Sequence, residues 1–171
     1  YYRISDGKGG TDIGKLDITV AFENDAPVAE DNSKTTNEEV SASGNVITDA
    51  DPVSGKKDSD QDTPLASLLV TGFTIGTQTY PAGATLEIAG QGQISIQADG
   101  SWSFIPVKDF FGNVSAVTYT LADSRTDGTD GTDKAILNIT VTNVNDNPVA
   151  YSDDAVVDEE RTHLGQRIPL S

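Results

Sequence analysis

Two stretches of this chain concentrate carboxylates densely enough to require a chemical reason. The first carries Asp49, Asp51, Asp58, Asp60 and Asp62, and the second carries Asp123, Asp127, Asp130 and Asp133. Surface aspartates stay ionised at neutral pH, so a crowd of them is repulsive unless it is protonated or neutralised. A bound cation relieves the repulsion. Asp and Asn side chains with loop carbonyls form the hard-oxygen set that Ca²⁺ accepts, about six to eight ligands in flexible geometry, whereas zinc prefers His and Cys. With one His and no Cys in the chain, Ca²⁺ is the expected ion. The spacing Asp58-Ser59-Asp60-Gln61-Asp62 matches the start of an EF-hand. However, Thr63 stands where that loop needs Gly and Leu69 where it needs a bidentate Glu, which excludes the motif. Solvated acidic loops are the plainer alternative, and for any single Asp, such as Asp99 in its turn, the plainer role is expected. The case for a metal is convergence.

Convergence has to come from the elements that carry the loops. Period-two alternation dominates the sequence and no long window shows helical spacing, so the expected class is all-β. Ala135, Leu137, Ile139 and Val141 alternate with polar Asn138 and Thr140, as do Val117, Tyr119 and Leu121 with Thr118 and Thr120. Ile94 and Ile96, then Trp102 and Phe104, flank Asp99-Gly100, a pair suited to the positive φ angles of a tight hairpin. Further strands are expected at Lys34 to Ser41, Asn45 to Thr48, Leu65 to Ile75 and Ala84 to Ile88. About seven strands with frequent polar turns indicate a Greek-key β-sandwich. If the strands alternate down and up, both acidic loops fall at the N-terminal end, beside Asn24-Asp25. Sequence-distant carboxylates then become neighbours.

The chain also repeats itself. Leu16-Asp17-Ile18-Thr19-Val20, Asn24-Asp25-Ala26-Pro27-Val28-Ala29 and Glu38-Glu39 return as Leu137-Asn138-Ile139-Thr140-Val141, Asn145-Asp146-Asn147-Pro148-Val149-Ala150 and Glu159-Glu160. The offset is 121 residues throughout (145 minus 24, 159 minus 38), the mark of a tandem array. Residues 1–22 then read as the closing hairpin of one repeat and 23–30 as a calcium-binding linker. Residues 31–143 read as a complete sandwich, 144–150 as a second linker, and 151–171 as the opening strands of the next repeat.

These residues carry a resemblance. Asn143-Val144-Asn145-Asp146-Asn147-Pro148 resembles the interdomain linker of cadherins, with Asn143 where their first linker Asp usually stands. Gly44-Asn45-Val46, Asp58 to Asp62, Ala98-Asp99-Gly100-Ser101-Trp102-Ser103-Phe104, Tyr119 to Asp123 and Val144-Asn145-Asp146 are together similar to the cadherin-like, immunoglobulin-like repeats of large bacterial surface adhesins of the repeats-in-toxin (RTX) type. The resemblance implies calcium-bound linkers that stiffen a long extender, secreted to the cell surface for adhesion and biofilm formation. It adds Asn143, Asn145 and Asp146 as metal ligands beside Asn24, Asp25, Asp49, Asp51, Asp58, Asp60, Asp62, Asp123 and Asp127. Implied partners are neighbouring repeats of the same polypeptide, with surface polysaccharide or host and biofilm matrix beyond them. The first joint departs from the pattern, reading Glu23-Asn24-Asp25-Ala26, and the second acidic loop, with Arg125, is longer than Asp6-Gly7-Lys8-Gly9-Gly10. Site geometry is therefore expected to differ between joints.

A net charge of −16 argues against nucleic-acid binding and anionic membranes, which require basic surface. The absence of Met and Cys fits an internal fragment of a secreted bacterial protein that relies on something other than disulfides. No run reaches the roughly 18 apolar residues of a membrane span, and no export signal is visible. No Ser-His-Asp set or phosphate loop is present, His163 stands alone, and paired acids without an aromatic cleft suit a cation better than a glycosidase. The expectation is a non-enzyme. The rival is a carbohydrate- or cell-surface-binding module, for which Trp102 would have to lie exposed as a sugar platform rather than in the core.

Overall fold

The computed structural model describes residues 1–21, 23–123 and 131–153. Alternating side chains explain most of its strands, because a period of two puts one face of each strand in the core. The N-terminal piece is a hairpin, Tyr2–Ser5 (β1) and Thr11–Gly14 (β2), with Tyr2 opposite Gly14 and Ser5 opposite Thr11. Among the described residues these two strands pair only with each other.

Ten strands follow: Asn32–Asn37 (β3), Ala42–Asn45 (β4), Leu69–Ile75 (β5), Gln78–Pro81 (β6), Thr85–Ile88 (β7), Gly92–Ile96 (β8), Ser101–Pro106 (β9), Gly112–Asn113 (β10), Val117–Ala122 (β11) and Thr132–Thr142 (β12). One sheet runs β10-β12-β11-β5-β6 with β3 lying parallel along β12, and the other runs β4-β9-β8-β7. The chain crosses between sheets after β3, β4, β6 and β9, which makes an all-β sandwich. Phe73, Tyr119, Leu121, Leu137 and Ile139 of the first sheet close on Ile94, Ile96, Trp102 and Phe104 of the second.

Several expectations are corrected. Gln78–Pro81 is a strand although it lacks the apolar alternation that marks one in sequence. The turn at Gly76, with φ of 61°, folds it back so that Ile75 faces Gln78. The expected strand from Leu65 starts only at Leu69, since Leu65–Ser67 winds into a 3₁₀ turn after Pro64. Of the strand expected at Asn45 to Thr48 only Asn45 is in a strand, as the last residue of β4, and residues 46–48 turn because the Asn45 side chain accepts the N–H of Ile47 and of Thr48. The strand expected to run to Ser41 ends at Asn37, before Glu39 at φ 62°. The Asp99-Gly100 hairpin is present, but only Gly100 has positive φ, 81°. Gly100 N–H donates to Gln97 O at 3.0 Å, so the loop is a three-residue turn with a glycine bulge rather than a two-residue turn.

The eleven residues of β12 fix the two poles, since at about 3.3 Å per residue they span roughly 35 Å. Asp133 faces Leu121 at one end, whereas Thr142 O accepts the N–H of Glu38 at the other.

Candidate metal centre

The incoming linker is fastened to the sandwich by side-chain carboxylates at the first pole. Asn24 Nδ2 donates to Asp123 Oδ2 at 2.6 Å, and Asp25 N–H donates to Asp62 Oδ2 at 3.3 Å. Ala29 N–H donates to Asp133 Oδ2 at 2.9 Å, and Glu30 N–H to Asp58 Oδ1 at 2.8 Å. A two-way backbone bridge between Val28 and Ser59 completes the seam. Four aspartates from three segments therefore hold one linker.

Each carboxylate is prepared by its surroundings. Asp58 is buried, and burial raises its pKa to about 6, against the lowering effect of the Glu30 N–H and the Tyr119 hydroxyl. Burial also raises the pKa of Tyr119, as does the neighbouring Asp58 charge. Asp60 is the opposite case: burial opposes its ionisation, but the N–H groups of Asp62 and Thr63, both donating to Oδ1, hold its pKa below the usual range. Asp123 is buried and receives the Gly131 N–H at 3.0 Å.

Two oxygens on this rim, Asp60 Oδ2 and Thr63 Oγ1, are buried without a hydrogen-bond partner among the described residues. Leaving such groups unsatisfied costs about 1–3 kcal/mol each, and a hard cation is one way to satisfy them. Among the described residues no three His, Cys, Asp or Glu side chains stand together as a metal-holding group. An ion here would need amide, hydroxyl and main-chain oxygens beside the carboxylates, a mixture that fits Ca²⁺ and disfavours zinc.

Of the residues singled out from sequence, Asn24, Asp25, Asp58, Asp60, Asp62 and Asp123 come together at this pole. Asp49 and Asp51 are engaged in turns: Asp49 Oδ2 accepts Asn45 N–H, and Asp51 Oδ1 accepts the N–H of Val53 and Ser54, which lowers the Asp51 pKa. Asp127, like Asp130, Arg125 and His163, lies outside the described residues. Asn143, Asn145 and Asp146 are exposed at the opposite pole, where the Val144 N–H donates to Glu38 Oε1. Asp133, expected in the acidic cluster but not among the ligands, joins the seam, and Tyr119, Thr63 and Glu38 are site residues that the sequence reading does not single out. The return of Glu38 as Glu159 was a signal for the last; Tyr119 reads only as a core residue. Trp102 is buried in the core, so it forms no sugar platform.

Among the described residues no helix is long and apolar enough to cross a membrane. A family model described as a bacterial Ig domain matches residues 24–140. No curated protein matches the chain by sequence. Among solved structures, a nucleoside hydrolase-related hypothetical protein from Saccharophagus degradans, associated with carbohydrate metabolism, is similar at 16% identity and a TM-score of 0.42. That match covers 70% of this chain and 26% of that one. The PapD-like domain 7 of human CEP192 is similar at 13% identity and a TM-score of 0.34, over 78% of this chain and 98% of that one.

Proposed function

The chain belongs to the bacterial Ig domain family, and from that premise we propose that it is a calcium-stabilised extender module of a large secreted adhesin of the RTX type. In this reading it acts at the bacterial cell surface in adhesion and biofilm formation. Domains of this family are typically structural rather than catalytic. The observation that carries the reading is the seam itself: four carboxylates at one pole grip residues 24–30, the segment that leads into the sandwich. An ion shared by the Asp58 to Asp62 loop, Asp123 and the linker would supply charge neutralisation there. It would tie the angle of the linker to the folded unit.

Asp60, Asp62, Asp123 and Asn24 are the side chains that would hold the ion, with Thr63 Oγ1 as a neutral donor. Asn143, Asn145, Asp146 and Glu38 would serve the second joint together with the following repeat. The partners of such a module are its neighbouring repeats. Calorimetric titration with Ca²⁺ tests the assignment: replacing Asp60 and Asp62 by Asn should remove most of the binding heat while the calcium-free fold stays intact. An unchanged titration would place the site elsewhere.

A further inference from the structure

The N-terminal hairpin duplicates the hairpin that closes the sandwich. Its register places Tyr2 opposite Gly14, Ile4 opposite Asp12 and Ser5 opposite Thr11; β11 and β12 place Tyr119 opposite Ala135, Leu121 opposite Asp133 and Ala122 opposite Thr132. The turn chemistry repeats as well. Gly10 N–H donates to Asp6 Oδ1 at 2.9 Å and Asp6 N–H to Gly10 O at 3.1 Å; Gly131 N–H donates to Asp123 Oδ1 at 3.0 Å and Asp123 N–H to Gly131 O at 3.4 Å. Beyond the turn, Leu16, Ile18 and Val20 stand for Leu137, Ile139 and Val141 at the repeat offset.

Burial separates the two copies. Tyr2, Ile4, Leu16, Ile18 and Val20 are between 54% and 87% exposed, whereas their five counterparts are at most 2% exposed. A lone two-stranded hairpin with this much apolar surface is marginal in water, and among the described residues neither of its edges is paired. In the central unit β5 lies along β11, the counterpart of β1, and β3 lies along Leu137 to Thr142 of β12, the counterparts of residues 16–21.

We propose that residues 2–20 are the closing hairpin of a second sandwich, and that the surface they present is taken up by another copy of residues 24–118. That copy supplies the equivalents of β3 and β5 at the two edges and the second sheet over the apolar face. The hairpin also brings half of a second linker seam, since Tyr2, Asp6 and Asp12 occupy the places of Tyr119, Asp123 and Asp133. In the central unit those three hold Glu30 and Asp58, Asn24 and Ala29 respectively. This deepens the tandem-module reading and rests on the repeat, not on calcium.

The test extends the full chain by a copy of residues 24–118 placed directly before Tyr2, so that Tyr2 follows Thr118 as Tyr119 does. Hydrogen exchange should then slow at least about a hundredfold for the hydrogen-bonded amides of Tyr2–Ser5 and Thr11–Gly14 relative to the original chain. Ile4→Asp with Leu16→Asp in the extended chain should abolish that protection and leave the central unit unaltered. A parallel chain whose added copy runs to Thr142, and so carries its own closing hairpin, controls for the copy's ability to fold. If that copy folds while the shorter one leaves the amides of Tyr2–Gly14 unprotected, the proposal is overturned. Calcium binding is not the readout, so failure here is distinguishable from failure of the calcium reading.

Discussion

The hydroxyl of Tyr119 lies 2.9 Å from both carboxylate oxygens of Asp58 and 2.9 Å from the carbonyl oxygen of Glu30. A phenol has one proton and a carbonyl can only accept, so protonation of Asp58 lets one carboxyl oxygen donate to Tyr119 while Tyr119 donates to Glu30. With Asp58 ionised, its charge and the Glu30 carbonyl compete for a single hydrogen. The linker is therefore coupled to the protonation of one buried acid.

That coupling has a sign. The folded-state pKa of Asp58, raised to about 6, exceeds the unfolded value of about 3.9. The stability this group contributes is fully present below about pH 4 and is lost as pH rises through 6. In chelator, the wild type should lose stability across that window by an amount on the order of 2–3 kcal/mol, and Asp58→Asn should flatten that component. Urea unfolding at stepped pH measures it; identical slopes for the two proteins would contradict the assignment.

Removing only the hydroxyl isolates the latch from the core. Tyr119→Phe keeps the buried ring but takes the donor from Glu30 O and Asp58, and should cost about 1–3 kcal/mol in denaturant unfolding at neutral pH. It should also speed amide exchange at Glu30 and Ser59. A variant as stable as wild type, with unchanged exchange there, would show that the hydroxyl does not hold the linker.

The glycine bulge offers a paired comparison. Gly100 and Gly90 both have positive φ, 81° and 72°. A Cβ on Gly100 would meet Ile47 Cγ1 at 2.7 Å and Asn45 Oδ1 at 2.8 Å, whereas one on Gly90 meets nothing within 4 Å. Gly90→Ala should cost about 1 kcal/mol from backbone strain alone, and Gly100→Ala measurably more. Equal midpoint shifts in urea would remove the packing argument.

Much of this was legible in the chain because its signals are local. Val117, Tyr119 and Leu121 alternate as a core strand must, and connections at one end of a sandwich bring the Asp58 to Asp62 loop, Asp123 and Asn24 together. What escaped depends on distant partners or on turns. The Tyr119 hydroxyl finds Asp58 across 61 positions of sequence, a contact no periodicity announces. Gln78–Pro81 is a strand because the Gly76 turn delivers it to β5, not because its residues alternate. Asp49 and Asp51 look like the other acids in sequence because residue type does not reveal that nearby backbone N–H groups already engage them.

Thermal unfolding of the full chain with chelator, with millimolar Ca²⁺ and with millimolar Mg²⁺ tests the calcium-stabilised joint most directly. If free Ca²⁺ is about a hundredfold above its dissociation constant, one site adds roughly 2.7 kcal/mol, a rise in Tm on the order of 10 °C for a unit of this size. Mg²⁺, which demands tighter octahedral geometry, should give much less. Melting temperatures that coincide in chelator and in calcium would contradict a calcium-stabilised joint.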